Sequence, residues 1–269
     1  MSKDFAVNRI DLNCDMGELP EAISDGTQEA LLRSITSANV ACGGHAGDAQ
    51  MMRATIEQAL RAGIAVGAHP GYPDRANFGR LELKLSPEAL ADSVCRQVRT
   101  LAEIAADCGA SLVHVKPHGA LYNQAVKERS LAGAIASGVA QARSESSSGL
   151  SPLPILVGLA GSPMLEVFRH AGFPVAAEAF ADRRYEPDGT LRSRKFDDAL
   201  VRDPTEAARQ ALSIAQRGIV IAHDGTEVHL TAQTICIHGD TPGAARIAAV
   251  VVQKLREAGI LLGGLASRP

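Results

Sequence analysis

LVHVKPHG, from Leu112 to Gly119, shows the unit from which the whole chain is built. An apolar, β-branched run (Leu112, Val113, Val115) fits a buried strand. It stops at Pro117 and Gly119, which leaves Lys116 and His118 at its C-terminal end. Reading outward in both directions, the same unit recurs. Strands are predicted at Arg9–Asn13, Ala38–Cys42, Ala65–Ala68, Leu112–Lys116, Ile155–Gly158, Val175–Phe180 and Thr234–Ile237, seven in all.

Between them lie segments of helical period. In Asp48–Ala62, Met51, Met52, Ile56, Ala59 and Leu60 fall on one face and Gly63 is placed as a C-cap. Ser86–Cys108 opens with an N-cap and a first-turn Pro87, then carries Leu90, Val94, Val98, Leu101 and Ile104 at spacings of three and four. Pro204–Gln216 and Ala244–Ala258 repeat the pattern. Most strands read as continuously hydrophobic, so the expectation is an α/β chain whose parallel sheet is buried on both faces and covered by helices. A closed barrel and an open doubly wound sheet both satisfy that reading. In a barrel the polar strand ends converge on one face, whereas in an open sheet they spread along an edge.

Two stretches break the rhythm. Residues 144–152 (SESSSGLSP at Ser144–Pro152) read as a flexible loop, and residues 219–230 carry Asp224-Gly225 between apolar runs, the mark of a hairpin. Neither divides the chain, so residues 1–269 are expected to form one domain.

Composition narrows the functions. With 27 Lys and Arg against 30 Asp and Glu, a net charge of −3, no Trp and 3% aromatic residues, the chain has neither the basic surface nor the stacking platforms of a nucleic-acid binder. An apolar content of 46% supports a large core, yet no window has the length of a membrane span or of a signal peptide, which predicts a cytoplasmic protein. Five scattered cysteines without a C-x-x-C predict reduced thiols. Cys14 and Cys42 read as small buried residues rather than nucleophiles.

Six of the seven predicted strands end in several polar groups: Asn13, Asp15 and Glu18; His45 and Asp48; His69, Tyr72 and Asp74; Lys116, His118 and Asn123; Glu178, Asp182, Arg183 and Arg184; His238 and Asp240. Asp48 and Ser162 have a simpler reading as N-caps. Four histidines in the contexts CGGHAG, GAHPG, VKPHG and CIHGD point to a shared cleft. Histidines beside carboxylates suit metal ligation or proton transfer near neutral pH, and the spacing leaves both open. Lys116, Arg183 and Arg184 add the positive charge that a substrate carboxylate or phosphate requires. A Walker phosphate loop is missing from the sequence.

Six blocks carry a family resemblance: IDLNCDMGE (Ile10–Glu18), ANVACGGHAGD (Ala38–Asp48), GAHPGYPD (Gly67–Asp74), HVKPHGALYN (His114–Asn123), EAFADRRY (Glu178–Tyr185) and IHGDTPGA (Ile237–Ala244). In this order they resemble the LamB/YcsF family, the A subunit of the prokaryotic 5-oxoprolinase. The resemblance implies a distorted seven-stranded β/α (TIM-like) barrel of the glycoside hydrolase/deacetylase type. It also implies hydrolysis of a cyclic amide, 5-oxo-L-proline to L-glutamate, with ATP as co-substrate and B and C subunits as partners. The family often has Ala where Cys14 stands and Phe where Gly44 stands, so the pocket wall beside His45 is expected to differ.

Within that reading Asp15 or His118 is the base for water, with Asn13 beside them. Lys116 stabilises the developing oxyanion or phosphate. Arg183 or Arg184 holds the substrate carboxylate, and His45, His69, Glu178 and His238 line the pocket. A divalent metal would come as Mg with ATP. The distant likeness to carbohydrate deacetylases offers instead a metal held by Asp15, His45 and His118 in a metal-dependent hydrolase. A third reading makes the chain a non-catalytic substrate-binding subunit, with ATP bound elsewhere in the complex.

Overall fold

The computed structural model describes residues 9–145 and 150–265. In chain order the strands are β1 (Arg9–Met16), β2 (Ser37–Ala41), β3 (Ala65–His69), β4 (Leu112–Val115), β5 (Leu150–Leu159), β6 (Val175–Phe180), β7 (Ile219–Ile221), β8 (Glu227–His229), β9 (Thr234–Ile237) and β10 (Leu261–Leu262). The helices are α1 (Pro20–Ser24), α2 (Thr27–Leu32), α3 (Ala49–Arg61), α4 (Pro87–Asp107), α5 (Gly119–Ala125), α6 (Arg129–Glu145), α7 (Pro163–His170), α8 (Pro204–Arg217) and α9 (Ala244–Glu257).

Strands β1 to β6 pair in parallel in sequence order, β9 pairs with β6, and β9 returns to β1 with Leu12 opposite Ile235. The ring is therefore closed, and the barrel replaces the open sheet. β10 adds a short parallel pair to Arg9 and Ile10, and β7 and β8 form an antiparallel hairpin between α8 and β9. The predicted loop at 144–152 lies outside the described residues at 146–149; Ser144 and Glu145 end α6, and Leu150 opens β5.

Local chemistry sets the helix starts. The Asp48 carboxylate accepts from the Met51 N–H, Ser86 from Ala89 and Asp203 from Glu206, the last two followed by a first-turn proline. Ser162 precedes α7 but donates its hydroxyl to the Leu159 carbonyl. α4 packs on α6 and α8 on α9, covering the outward faces of the strands. Among the described residues no helix is long and apolar enough to cross a membrane.

The barrel interior departs from the expected continuous hydrophobicity. Neighbours in register share a face. That puts Asp11, Asn13 and Asp15 of β1 beside Thr234 and Cys236 of β9, and beside Ser37 and Asn39 of β2. Gly67, His114, Glu178 and Phe180 continue the inward row. The outward row (Leu12, Cys14, Val40, Val66, Val115, Ile235) belongs to the apolar core under the helices. Near β5 and β6 the interior is apolar, where Val157, Ala176 and Leu265 pack together.

Gly67 is required by this packing. A Cβ there would lie 2.3 Å from the His114 ring, which occupies the barrel axis in its place.

Candidate active site

At the base of the interior, Thr36, Ser37 and Thr234 donate to the Asp11 carboxylate. The next layer is a chain of directed hydrogen bonds. Asn39 donates its amide to Asp15 Oδ1 at 2.8 Å and to Asn13 Oδ1 at 2.7 Å, so its own carbonyl is left to accept from His114 Nε2 at 2.7 Å. Asn13 donates in turn to Glu178 Oε1 at 2.9 Å and to Thr234 at 2.6 Å. His114, fully buried, is pushed down to about 3 by burial and by the Lys116 charge, and is neutral.

Lys116 stands at the centre. Its ammonium lies 2.9 Å from Glu178 Oε1, 3.1 Å from Asp15 Oδ1, 3.1 Å from Asn13 Oδ1 and 3.0 Å from the Cys236 sulfur, with the Phe180 ring 5.3 Å away. Burial alone would depress its pKa, but the Asp15 and Glu178 carboxylates hold it well above the ordinary value. Asp15 mirrors it: burial would raise the carboxyl, and His69 and Lys116 hold it well below. The predicted catalytic residues Asn13, Asp15 and Lys116 are thus brought together with Glu178. The three ammonium hydrogens are matched by acceptors in the protein, so Lys116 is a clamp on two carboxylates rather than an open anion hook.

Above the clamp, His69, His118, His45 and Glu18 meet. His69 Nδ1 donates to the Lys116 carbonyl at 2.7 Å, and His118 Nε2 to the Phe78 carbonyl at 2.9 Å. His118 Nδ1 then lies 3.0 Å from His69 Nε2 and 3.2 Å from Glu18 Oε1. His45 Nε2 is 2.9 Å from that same oxygen, and the His45 and His118 rings stack at 3.6 Å. Burial would raise the Glu18 carboxyl; its bonds to His118 and His45 hold it well below the usual range. Burial pushes His45 down to about 4. Donor atoms of these four residues lie within 4.8 Å of one another, as do those of Asp15, Cys236 and His238.

His238, at the rim after β9, is oriented by Asp182. Nδ1 lies 3.0 Å from Asp182 Oδ1 and the backbone N–H bonds Oδ2 at 2.9 Å, leaving Nε2 to accept. Beyond it, Arg80 and Arg194 both pair with Asp240. The arginines expected to bind substrate are engaged differently. Arg183 is buried and donates to the Arg192 carbonyl at 2.6 Å, tying down the segment between β6 and α8, while Arg184 pairs with Glu206 on α8 at 2.6 Å. Beside His45, the Gln97 amide fills the space at Gly44, where a Cβ would sit 2.3 Å from its oxygen. The five cysteines are unpaired; burial pushes the Cys42 thiol up to about 12 and holds those of Cys14 and Cys236 well above the usual value.

Sequence reasoning passed over Asn39 and His114, because each sits inside an apolar strand rather than past its end. The signal was their place in the period-two inward row. Asp182 and Glu18 were seen among the strand-end groups, but their partners became visible only in three dimensions.

Fold and site together define a parallel seven-stranded β/α barrel with a buried cluster of ionisable groups at the C-terminal ends of its strands. The chain belongs to the LamB/YcsF family, whose sequence profile matches residues 10–268. It is 51% identical over 251 residues to a protein of Chloroflexus aggregans that bears the name of the A subunit of 5-oxoprolinase, covering 93% of this chain and 96% of that one. A protein of the same name from Bacillus licheniformis is 44% identical over 254 residues, covering 94% and 97%. The crystal structure of a lactam utilization protein from Thermus thermophilus superposes with a TM-score of 0.84 at 40% identity, covering 95% of this chain and 99% of that one.

Proposed function

We propose that this chain is the A subunit of an ATP-dependent 5-oxoprolinase, which opens 5-oxo-L-proline to L-glutamate as ATP goes to ADP and phosphate. The observation that carries the reading is the 51% identity, over nearly the full length of both chains, to a protein bearing that name. The partners are B and C subunits, and Mg²⁺ would enter with the nucleotide. The chemistry gives ATP a purpose. A lactam carbonyl is a poor electrophile, and phosphoryl transfer to its oxygen makes the carbon open to water.

In this reading Asn13, Asp15, Lys116 and Glu178 form the fixed charge pattern under the reacting carbonyl. Asp15 is ionised but, with its pKa held low, is a weak base. His118, whose Nε2 is held by the Phe78 carbonyl, is a second candidate through Nδ1 when no metal occupies that nitrogen. The Asp182–His238 pair supports a third, since its carboxylate fixes the tautomer that leaves Nε2 to take a proton. His45 and His69 line the pocket. The substrate carboxylate is assigned to Arg80 and Arg194 at the rim ahead of Arg183 and Arg184, because the two rim cations share the single Asp240 carboxylate and so leave positive charge over.

The test is glutamate release from 5-oxo-L-proline, with and without ATP, by this chain alone and then combined with B and C subunits from the same source. ATP-dependent release in the combined sample is expected. No release with all three subunits folded and associated would overturn the reading. Asp15→Asn should bring turnover below about a tenth of wild type. Lys116 keeps Glu178 as counter-ion in that variant, so the fold should persist.

A further inference from the structure

We propose that Glu18, His45, His69 and His118 form a binding site for one transition-metal ion of the zinc class, separate from any Mg²⁺ that accompanies a nucleotide. The inference stands on donor geometry and does not depend on the lactam reading.

Tautomers come first. A backbone carbonyl only accepts, so the bonds from His69 Nδ1 to Lys116 and from His118 Nε2 to Phe78 place a proton on each of those nitrogens. In neutral rings the remaining nitrogens, His69 Nε2 and His118 Nδ1, then bear lone pairs. They face each other at 3.0 Å, with Glu18 Oε1 3.2 Å from one and 3.8 Å from the other. Two lone pairs and a carboxylate oxygen at such distances repel unless something positive lies among them. An imidazole whose second N–H is held by a carbonyl is the usual form of a metal-ligating histidine.

Spacing comes second. Four ligands about 2.0–2.1 Å from a tetrahedral zinc ion lie about 3.3 Å from one another. Four of the six separations, 2.9 Å (Glu18 to His45), 3.0 Å (His69 to His118), 3.2 Å (Glu18 to His118) and 3.8 Å (Glu18 to His69), bracket that value. Asp15 Oδ2 lies 3.4 Å from His69 Nε2 as a neighbouring oxygen, and the His45 ring, stacked parallel on His118 at 3.6 Å, has to turn for its nitrogen to reach the same ion. The loops leave room for this convergence: a Cβ at Gly79 would lie 2.7 Å from the His45 Cβ and 3.0 Å from His118, and one at Gly71 would lie 2.8 Å from His45 Nδ1. All four ligands are buried.

Ligand chemistry comes third. Three imidazoles and one carboxylate suit Zn²⁺, Co²⁺ or Fe²⁺, whereas Mg²⁺ prefers oxygen and retained water. The competing occupant is a proton, which would make one ring an imidazolium bridging to Glu18.

To distinguish them, the full chain is stripped with a chelator and titrated with Co²⁺, with Zn²⁺ and Mg²⁺ as competitors. The expected result is one Co²⁺ per chain, with the visible absorption of a four-coordinate nitrogen and oxygen site, displaced by stoichiometric Zn²⁺ and untouched by millimolar Mg²⁺. His69→Ala and Glu18→Gln should each weaken binding by more than about tenfold, and Cys236→Ser should leave it unchanged. Substoichiometric uptake by the wild type, displacement by Mg²⁺, or unaltered binding in a folded His69→Ala chain would overturn the proposal. So would a thiolate-to-cobalt band lost in Cys236→Ser, because it would place the ion on Asp15, Cys236 and His238. The wild-type titration decides even if a variant fails to fold.

Discussion

Around Lys116 every strong donor meets an acceptor of the right kind: ammonium to two carboxylates, Asn13 to Glu178 and Thr234, Asn39 to Asp15, His114 to Asn39. Around His118, just above, the pattern is different. Two imidazoles have one N–H each on a carbonyl and turn their second nitrogens toward each other and toward Glu18, and buried His45 Nδ1 has no hydrogen-bond partner among the described residues. A closed network fixes geometry and charge, whereas an open one is shaped for something that arrives. His114 Nδ1 and Glu178 Oε2 of the lower layer also lack a partner among the described residues, so what separates the layers is charge. The Lys116 ammonium already sits between its two carboxylates, whereas the nitrogens that face each other above it have no cationic side chain among them.

The largest effect should come from opening the closed layer. Lys116→Met would leave Asp15 and Glu178 buried without their shared counter-ion, and breaking a buried ion pair on one side costs about 3–5 kcal/mol. Urea unfolding should show that loss together with loss of turnover. A Lys116→Met chain as stable as wild type would mean that the carboxylates take up protons at little cost and that the clamp is not structural.

Gly67→Ala should follow, at about 1–3 kcal/mol, the usual range for overpacking. The new methyl meets the His114 ring, not a flexible chain end, so the ring must leave the Asn39 carbonyl. Thermal unfolding measures the cost. An unchanged melting temperature would show that the space beside His114 has slack.

How much of this could be read from the residues divides along the same line. The seven strands were legible within a residue or two at most ends, because β-branched runs between Gly and Pro state their own limits. β1 ran three residues past the predicted Asn13, since Cys14 and Met16 point out to the helices while Asp15 points in. Closure of the sheet was not legible from periodicity, because the pairing of β9 with β1 joins residues more than two hundred positions apart. The histidines at the mouth could be found one by one from their Gly and Pro contexts. Which nitrogen each presents depends on the carbonyls of Lys116 and Phe78, and no local pattern announces that. Arg183 and Arg184 show the charge that a substrate carboxylate needs, but which partners they take, the chain's own carbonyls and Glu206, is set by the fold and not by the local sequence.

Acid should reach the closed layer through His114. Its folded value near 3 lies below the ordinary 6.5, so as pH falls past about 6.5 the unfolded chain takes up a proton that the folded chain refuses. Stability is full above that pH and declines below it, by up to about 1.4 kcal/mol per pH unit for this ring, until the folded value is reached. His45, pushed to about 4, adds a second proton over much of the same window. Asp182, a carboxylate held low, has the same sign in a lower window: its contribution is present above the unfolded value near 4 and lost as pH falls through the depressed one. His114→Gln should therefore roughly halve the slope of unfolding free energy between about pH 6 and 5 and leave the loss below about pH 4 in place. An unchanged slope would mean that the ring is already charged in the folded protein.

The smallest effect separates the rim from the surface. Arg184 and Glu206 are a half-exposed pair outside both layers, and such pairs contribute about 0–1 kcal/mol. Arg184→Ala should shift the melting temperature little and leave KM for 5-oxo-L-proline unchanged in the assembled enzyme. Arg194→Ala removes one of two cations on Asp240 at the pocket rim, so it should raise KM with only a small change in stability. The two variants delete the same side chain from the same loop segment, and only position relative to the mouth differs. If Arg184→Ala raised KM and Arg194→Ala did not, the substrate would enter on the α8 side, and the pocket assigned here to the strand ends would have to be moved toward it.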